Sequence, residues 1–219
     1  MTDEQKGVLD NLRKAIFEYN ADMAKESARK AIELGVGPFE AMNVMTVAIR
    51  EIGEAFGTGE LWLPDLIGAS AAMQGATPVL EEEIRKRGAH REILGTVVAG
   101  TVFGDIHNIG KTMVATLLTA AGFQVEDLGV NIKAEAFVEA VQKHEADLVV
   151  MSALMTTTMT EQEKVIESLK SKCIRENVKI MVGGAAVTEE FARDIGADGY
   201  DPTAPGAVQL AEKLLGKSR

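Results

Sequence analysis

Residues 93–102 read Ile93-Leu94-Gly95-Thr96-Val97-Val98-Ala99-Gly100-Thr101-Val102, and this stretch decides the fold. The run is apolar almost without interruption. Strands that leave one face in water alternate apolar and polar residues, whereas a strand covered on both faces reads as a continuous apolar run, as in parallel sheets. Further runs of this kind follow at Phe123–Leu128, Leu148–Ser152, Val178–Val182 and Asp198–Tyr200. Between and after them lie helical patterns at Lys111–Ala121, Lys133–Lys143, Glu161–Arg175, Glu189–Ile195 and Ala207–Leu215. Strand and helix in alternation predict a parallel sheet with helices on both faces.

Upstream the periodicity is different. Thr2 and Gln5 form a capping-box pattern, and Val8, Leu9, Leu12, Ile16 and Tyr19 recur at helical spacing. Asn20 is placed to cap a second helix that Gly35 ends, and Pro38 opens a third whose stripe runs from Phe39 to Phe56. Pro64 opens a fourth helix through Leu80, which Pro78 is expected to kink or split. The expected architecture is an N-terminal four-helix bundle cap, residues 1–88, plus a C-terminal α/β flavodoxin-like (Rossmann-like) five-stranded parallel sheet, residues 92–219. The charged stretch Arg85-Lys86-Arg87-Gly88 leads into the linker between them.

The 219 residues suffice for two modest domains, and 46% hydrophobic with 26% charged residues is an ordinary globular balance. A net charge of -10 disfavours a broad nucleic-acid-binding face. A single cysteine, Cys173, excludes an internal disulfide framework and a cysteine-rich metal site. The polar N-terminus lacks a signal core, and no apolar run reaches the roughly 20 residues of a membrane span, so a cytoplasmic protein without membrane contact is expected.

In an open parallel sheet, ligands bind beyond the carboxyl ends of the strands where the strand order reverses. The first strand is followed by Gly104-Asp105-Ile106-His107-Asn108-Ile109-Gly110. A loop histidine with a carboxylate two residues before it suits a metal ligand, because the carboxylate fixes the imidazole tautomer. Its plainer reading is a loop histidine satisfied by its neighbour. Ser152-Ala153-Leu154-Met155-Thr156 follows the third strand, with Ser152 placed to reach Asp105, and Gly183-Gly184 follows the fourth. Taken singly, these are an ordinary strand end and a turn.

Other nucleotide motifs are absent. No Gly-x-Gly-x-x-Gly follows the first strand, and Gly110-Lys111-Thr112 lacks the leading glycine of a phosphate loop. Ser152 stands where a receiver domain needs its phosphoacceptor aspartate.

The three sites together are more specific. Residues 111–151, 41 in number, separate Gly110 from Ser152, and residues 155–182, 28 in number, separate Leu154 from Gly183. Asp-x-His-x-x-Gly, Ser-x-Leu and Gly-Gly at these separations resemble the signature of cobalamin-binding domains, and the helical half resembles the cap that accompanies them in small corrinoid proteins. The resemblance implies a cobalamin or related corrinoid cofactor, carried in use as methylcobalamin. It implies His107 as lower cobalt ligand, with Asp105 and Ser152 as a relay behind it. It implies that Leu154, Thr156, Gly183 and Gly184 border the slot for the nucleotide tail, that Tyr200 and Ala204 line that tail, and that Trp62 covers the upper corrin face; Gly110, which opens the helix after the loop, lets the cofactor approach closely. It assigns no role to His90 or His144.

The chain lacks the barrels of a mutase or of methionine synthase and the basic reading helix of a photoreceptor. The resemblance therefore implies a free-standing methyl carrier, non-catalytic alone. Its implied partners are a substrate-specific methyltransferase, an acceptor methyltransferase serving a thiol or tetrahydrofolate, and a reductive activase. A cobalamin-binding sensor or storage protein without turnover is the alternative.

Overall fold

The computed structural model describes residues 1–87 and 93–217. It divides into two compact units, Met1–Glu92 and Ile93–Arg219. The expected linker, with His90, lies outside the described residues.

The first unit holds α1 (Asp3–Phe17), α2 (Ala21–Glu33), α3 (Pro38–Thr58) and α4 (Leu63–Lys86). Thr2 and Gln5 make the expected capping box on α1, and the Asn20 side chain caps α2 by accepting from Met23 N–H. α1 packs on α2 and α3, and α4 packs on the same two, so the helices close around one core. Leu12, Ile16, Met45, Ile49, Ile52, Leu66 and Leu80 are fully buried there. Pro78 does not split α4, which runs unbroken through it. Proline removes one backbone donor and crowds the preceding turn. Here Ala76, Leu80 and Ile84 are buried on either side of it, and their packing holds the helix together.

α4 approaches α2 through glycine. A Cβ on Gly75 would lie 2.8 Å from the Ala21 carbonyl oxygen, and one on Gly68 would lie 2.7 Å from the Tyr19 side chain. These glycines are seven residues apart and share a face of the helix.

The second unit contains β1 (Thr96–Thr101), α5 (Ile109–Ala121), β2 (Gln124–Asp127), α6 (Ala134–His144), β3 (Leu148–Ser152), α7 (Thr160–Ser171), β4 (Lys179–Gly183), α8 (Glu189–Asp194), β5 (Gly199–Tyr200) and α9 (Ala204–Leu214). The sheet order is β2-β1-β3-β4-β5, every pairing parallel. This is the expected order, and it sets the reversal between β1 and β3. Strand residues alternate between two layers. Val97, Ala99, Leu148, Val150 and Met181 face α5 and α9, while Val98, Val149, Met151, Ile180 and Val182 face α6 and α7.

Several ends differ from expectation. The first strand begins at Thr96, not Ile93. The helix expected to reach Arg175 stops at Ser171, because Cys173 adopts a left-handed φ of 57°. Arg175 instead enters a short 3-10 turn and binds the carboxylate of Asp198 at 2.9 Å. α9 starts three residues before the expected Ala207, because Thr203 caps it and Pro205 fits its first turn.

The glycines of the bundle give a paired prediction. Gly75→Ala should destabilise the chain by about 1–2 kcal/mol, since overpacking of about 1–3 kcal/mol outweighs the gain in helix propensity. Gly7→Ala, on α1 with nothing within 4 Å of the new methyl, should stabilise by up to about 1 kcal/mol. Urea unfolding followed by far-ultraviolet circular dichroism measures both, and the two midpoints should move in opposite directions.

Candidate functional site

The loop after β1 is built around one carboxylate. Asp105 is fully buried, and its two oxygens receive four hydrogen bonds. Oδ1 accepts from the His107 backbone N–H at 3.0 Å and stands 2.7 Å from His107 Nδ1. Oδ2 accepts from the Leu154 N–H at 2.8 Å and from the Thr158 hydroxyl at 2.7 Å. Burial pushes a carboxyl group's pKa up. These bonds to the ionised form outweigh it and hold Asp105 well below the usual carboxylate range.

The expected partner Ser152 makes none of these bonds, and the pleat explains why. Ser152 shares its parity with Leu148 and Val150, so it belongs to the α5 and α9 face and lines the cavity there. Thr158, in the turn before α7, comes from the other layer and takes the place expected of Ser152. Asn131 also holds the loop: its N–H donates to the Asp105 carbonyl at 2.9 Å, and its Oδ1 accepts from the Gly104 N–H at 2.8 Å. Its left-handed φ of 58° is a conformation that asparagine tolerates better than most residues. The sequence reading gave roles to neither Thr158 nor Asn131.

His107 is half exposed. An ionised Asp105 at Nδ1 requires the proton there, which leaves the Nε2 lone pair available. Nε2 makes no hydrogen bond among the described residues. The Thr101 hydroxyl donates to the His107 carbonyl at 3.0 Å and steadies its backbone.

Beside His107 lies a cavity of about 800 Å³. The start of α5, the ends of β3 and β4, and residues 200–204 wall it. His107, Gly110, Ser152, Leu154, Gly183, Gly184, Tyr200 and Ala204 all line it. Asp105 sits behind His107, and Thr156 is exposed outside the lining. Trp62 belongs to the helical unit, where it precedes α4 and is exposed. Side chains built on Gly110 or Gly183 would meet nothing within 4 Å, so both leave open space in the cavity wall. Gly184 is different: its φ is +123°, and a Cβ there would lie 1.9 Å from the Ala153 carbonyl oxygen. The fold itself demands this glycine.

Lys111 shows why the partial phosphate-loop pattern misleads. Its side chain is buried, and its ammonium group is paired with both oxygens of the Asp127 carboxylate.

The donor set fits a particular kind of metal. Among the described residues, no group of three His, Cys, Asp or Glu side chains converges to hold a bare ion. One oriented imidazole beside a cavity of about 800 Å³ suits a metal that arrives with its equatorial ligands, as a corrin-bound cobalt does.

Asp105 predicts a pH dependence. Its folded pKa is depressed, so its stabilising contribution is complete above its unfolded value, about 3.9, and is lost as pH falls through the lower folded value. Asp105→Asn should cost about 1–3 kcal/mol at neutral pH, where an amide NH2 replaces one of two oxygens that each face two donors. The gap from wild type should narrow as pH falls below about 3.9. Denaturant midpoints of both proteins across that range measure it, and a gap independent of pH would contradict the assignment.

Comparison with known proteins identifies the family. Residues 95–209 match the family described as B12 binding domain, and residues 8–81 match a second family of the same description. The chain is 42% identical over 212 residues to a corrinoid protein of Desulfitobacterium hafniense, covering 96% of this chain and 98% of the relative. It is 43% identical over 209 residues to the trimethylamine corrinoid protein of Methanosarcina barkeri, covering 95% of this chain and 96% of the relative. A chain in the crystal structure of the methanol:cobalamin methyltransferase complex MtaBC from Methanosarcina barkeri is similar with a TM-score of 0.85 and 30% identity, over 97% of this chain and 81% of that one. With these matches spanning both units, the chain belongs to the corrinoid proteins, the family built on the B12 binding domain.

Proposed function

We propose that this corrinoid protein is a methyl carrier, loaded by one methyltransferase and unloaded by another. The observation that carries the reading is His107: its Nδ1 is held by a buried carboxylate, and its Nε2 is left available beside the cavity. Bound cobalamin supplies the metal that takes up and gives up the methyl group. The chain's own residues supply the rest. His107 ligates, Asp105 fixes its tautomer, and the wall around Gly110, Leu154, Gly183, Tyr200 and Ala204 receives the nucleotide tail. We assign Ser152 to this wall as well, and Trp62 to cover the opposite corrin face.

The partners follow from the same reading. The solved relative belongs to a methanol:cobalamin methyltransferase complex, and other relatives are trimethylamine and dimethylamine corrinoid proteins. We infer a substrate-specific methyltransferase as donor partner, a thiol or folate methyltransferase as acceptor partner, and a reductive activase that restores the reactive cobalt. Among the described residues, no helix is long and apolar enough to cross a membrane. We place the carrier in the cytoplasm with these partners.

The reading predicts that the cobalt(II) form of the loaded protein shows superhyperfine coupling to one imidazole nitrogen in electron paramagnetic resonance. His107→Ala should abolish that coupling. Single-turnover assays with a donor methyltransferase and a panel of methylated amines and methanol should transfer a methyl group to the wild-type protein. A spectrum unchanged in His107→Ala would remove this residue from the role. A protein that binds cobalamin but takes no methyl from any donor and partner would be a sensor or store instead.

A further inference from the structure

Tyr19 stands in a position that normally belongs to glycine. It follows the end of α1 with a left-handed φ of 58°. Its N–H donates to the Ile16 carbonyl at 3.2 Å, and the Asn20 N–H donates to the Ala15 carbonyl at 2.9 Å. These bonds close a helix through one left-handed residue, and glycine is its usual occupant. A large side chain there is strained, and such a residue persists only where its surroundings hold it.

Those surroundings are the first turns of α4. The base of the Tyr19 side chain rests on Gly68, where an added Cβ would lie 2.7 Å from both Tyr19 Cβ and Cγ. Gly68 comes three residues after Asp65 and shares its side of the helix. The Tyr19 hydroxyl reaches back to Asp65 and donates to Oδ1 at 3.1 Å. Partial burial, and then Asp65 itself, hold the phenol above its ordinary value, so it is a donor at neutral pH. The other oxygen, Oδ2, accepts from the Trp62 N–H at 2.7 Å. Trp62 occupies the capping position of α4, and Asp65 gives back the bond that an acidic residue at the third position offers the capping backbone. The Trp62 carbonyl accepts from the Asp65 and Leu66 N–H groups at 3.1 and 3.3 Å. The backbone of Trp62 is therefore held through both its N–H and its carbonyl, while the residue is 74% exposed.

A held backbone under an exposed indole presents the ring in one direction. We infer that Tyr19, acting through Asp65, is the positioning residue for Trp62. Its hydroxyl fixes the rotation of the Asp65 carboxylate, so that Oδ2 meets the Trp62 N–H and the indole leaves the start of α4 along a set path. The inference deepens the proposed function and rests on Trp62 as the cover of the corrin face.

Trp62 is the chain's only tryptophan, so indole fluorescence reports on it alone. The test uses the full chain with Tyr19→Phe, Asp65→Ala and Asp65→Asn, and with Thr2→Ala as a control that removes the cap of α1 instead. In the cofactor-free protein, hydrogen exchange of the Trp62 amide reads its bond to Asp65, and the decay of fluorescence anisotropy reads the freedom of the ring. Asp65→Ala should speed that exchange on the order of 10-fold, the size of one lost bond to a charged acceptor. Tyr19→Phe keeps the ring on Gly68 and should speed it by a smaller factor, and both variants should lower the residual anisotropy. Asp65→Asn retains an acceptor and should stay near wild type, as should Thr2→Ala. In the cobalt(III)-loaded protein, the rate at which cyanide replaces the upper ligand probes access to that face. It should rise in Trp62→Ala and, to a lesser degree, in Tyr19→Phe and Asp65→Ala. If Asp65→Ala fails to fold, Tyr19→Phe against wild type makes the same comparison.

Exchange and anisotropy unchanged in Tyr19→Phe would overturn the inference. So would an equal change in Thr2→Ala, which would reduce the effect to a general loosening of the bundle. If Trp62→Ala leaves cyanide entry unchanged, the cover reading fails, and the cofactor-free measurements still decide whether Tyr19 holds Trp62 in place.

Discussion

The site depends on keeping one carboxylate ionised where no water reaches it. Removing a carboxylate from water costs several kcal/mol unless its oxygens are fully engaged. Asp105 meets this condition with donors from three places in the chain: its own loop, the end of β3, and the turn before α7. Those places adjoin only because β1 lies beside β3. The same four bonds therefore stabilise a charge, join two strand ends and fix an imidazole. Loosening any one of them also disturbs the other functions, which is why the loop is pinned from outside by Asn131 and Thr101.

Much of this was legible in the sequence, for identifiable reasons. The apolar run after residue 92 carries the signature of a strand covered on both faces, and its alternation with helical patterns leads to the parallel sheet. Asp105 and His107 are two residues apart, so their pairing is local and readable. Thr158 was not readable, since it lies 53 residues from Asp105 and its role depends on which face of β3 the chain turns toward. The pleat decides that face, and the motif spacing does not reveal it. That Pro78 does not split α4 was unreadable for a related reason: its local cost is real, but burial on both sides of it maintains the helix.

The structure also separates residues that a motif presents as equals. Gly183 and Gly184 are neighbours, yet only Gly184 is required by the backbone, through its φ of +123° and its contact with Ala153. Gly183 leaves room on the cavity side, so a side chain there would intrude on a ligand before it strained the fold. In the Gly110-Lys111 pair, Gly110 likewise faces open space while Lys111 is committed to Asp127. A motif thus combines positions kept for the ligand with positions kept for the scaffold, and the backbone angles and side-chain partners tell them apart.

A single imidazole gives one bond to a metal, and the rest of the grip must come from surface. The cavity beside His107 provides it, and the residues flanking His107 add to it. Ile106 is 73% exposed and Ile109 65%, with Leu154 at 41% across the same site. Large apolar side chains clustered in water are costly to a soluble domain and mark a surface that something covers. Here they surround the His107 imidazole, whose Nδ1 is held by Asp105, so on the proposed reading covering them and ligating through Nε2 belong to one binding event. Affinity is then distributed over apolar contact and tail burial. On that reading, the bond to cobalt can be adjusted through Asp105 without loss of the cofactor.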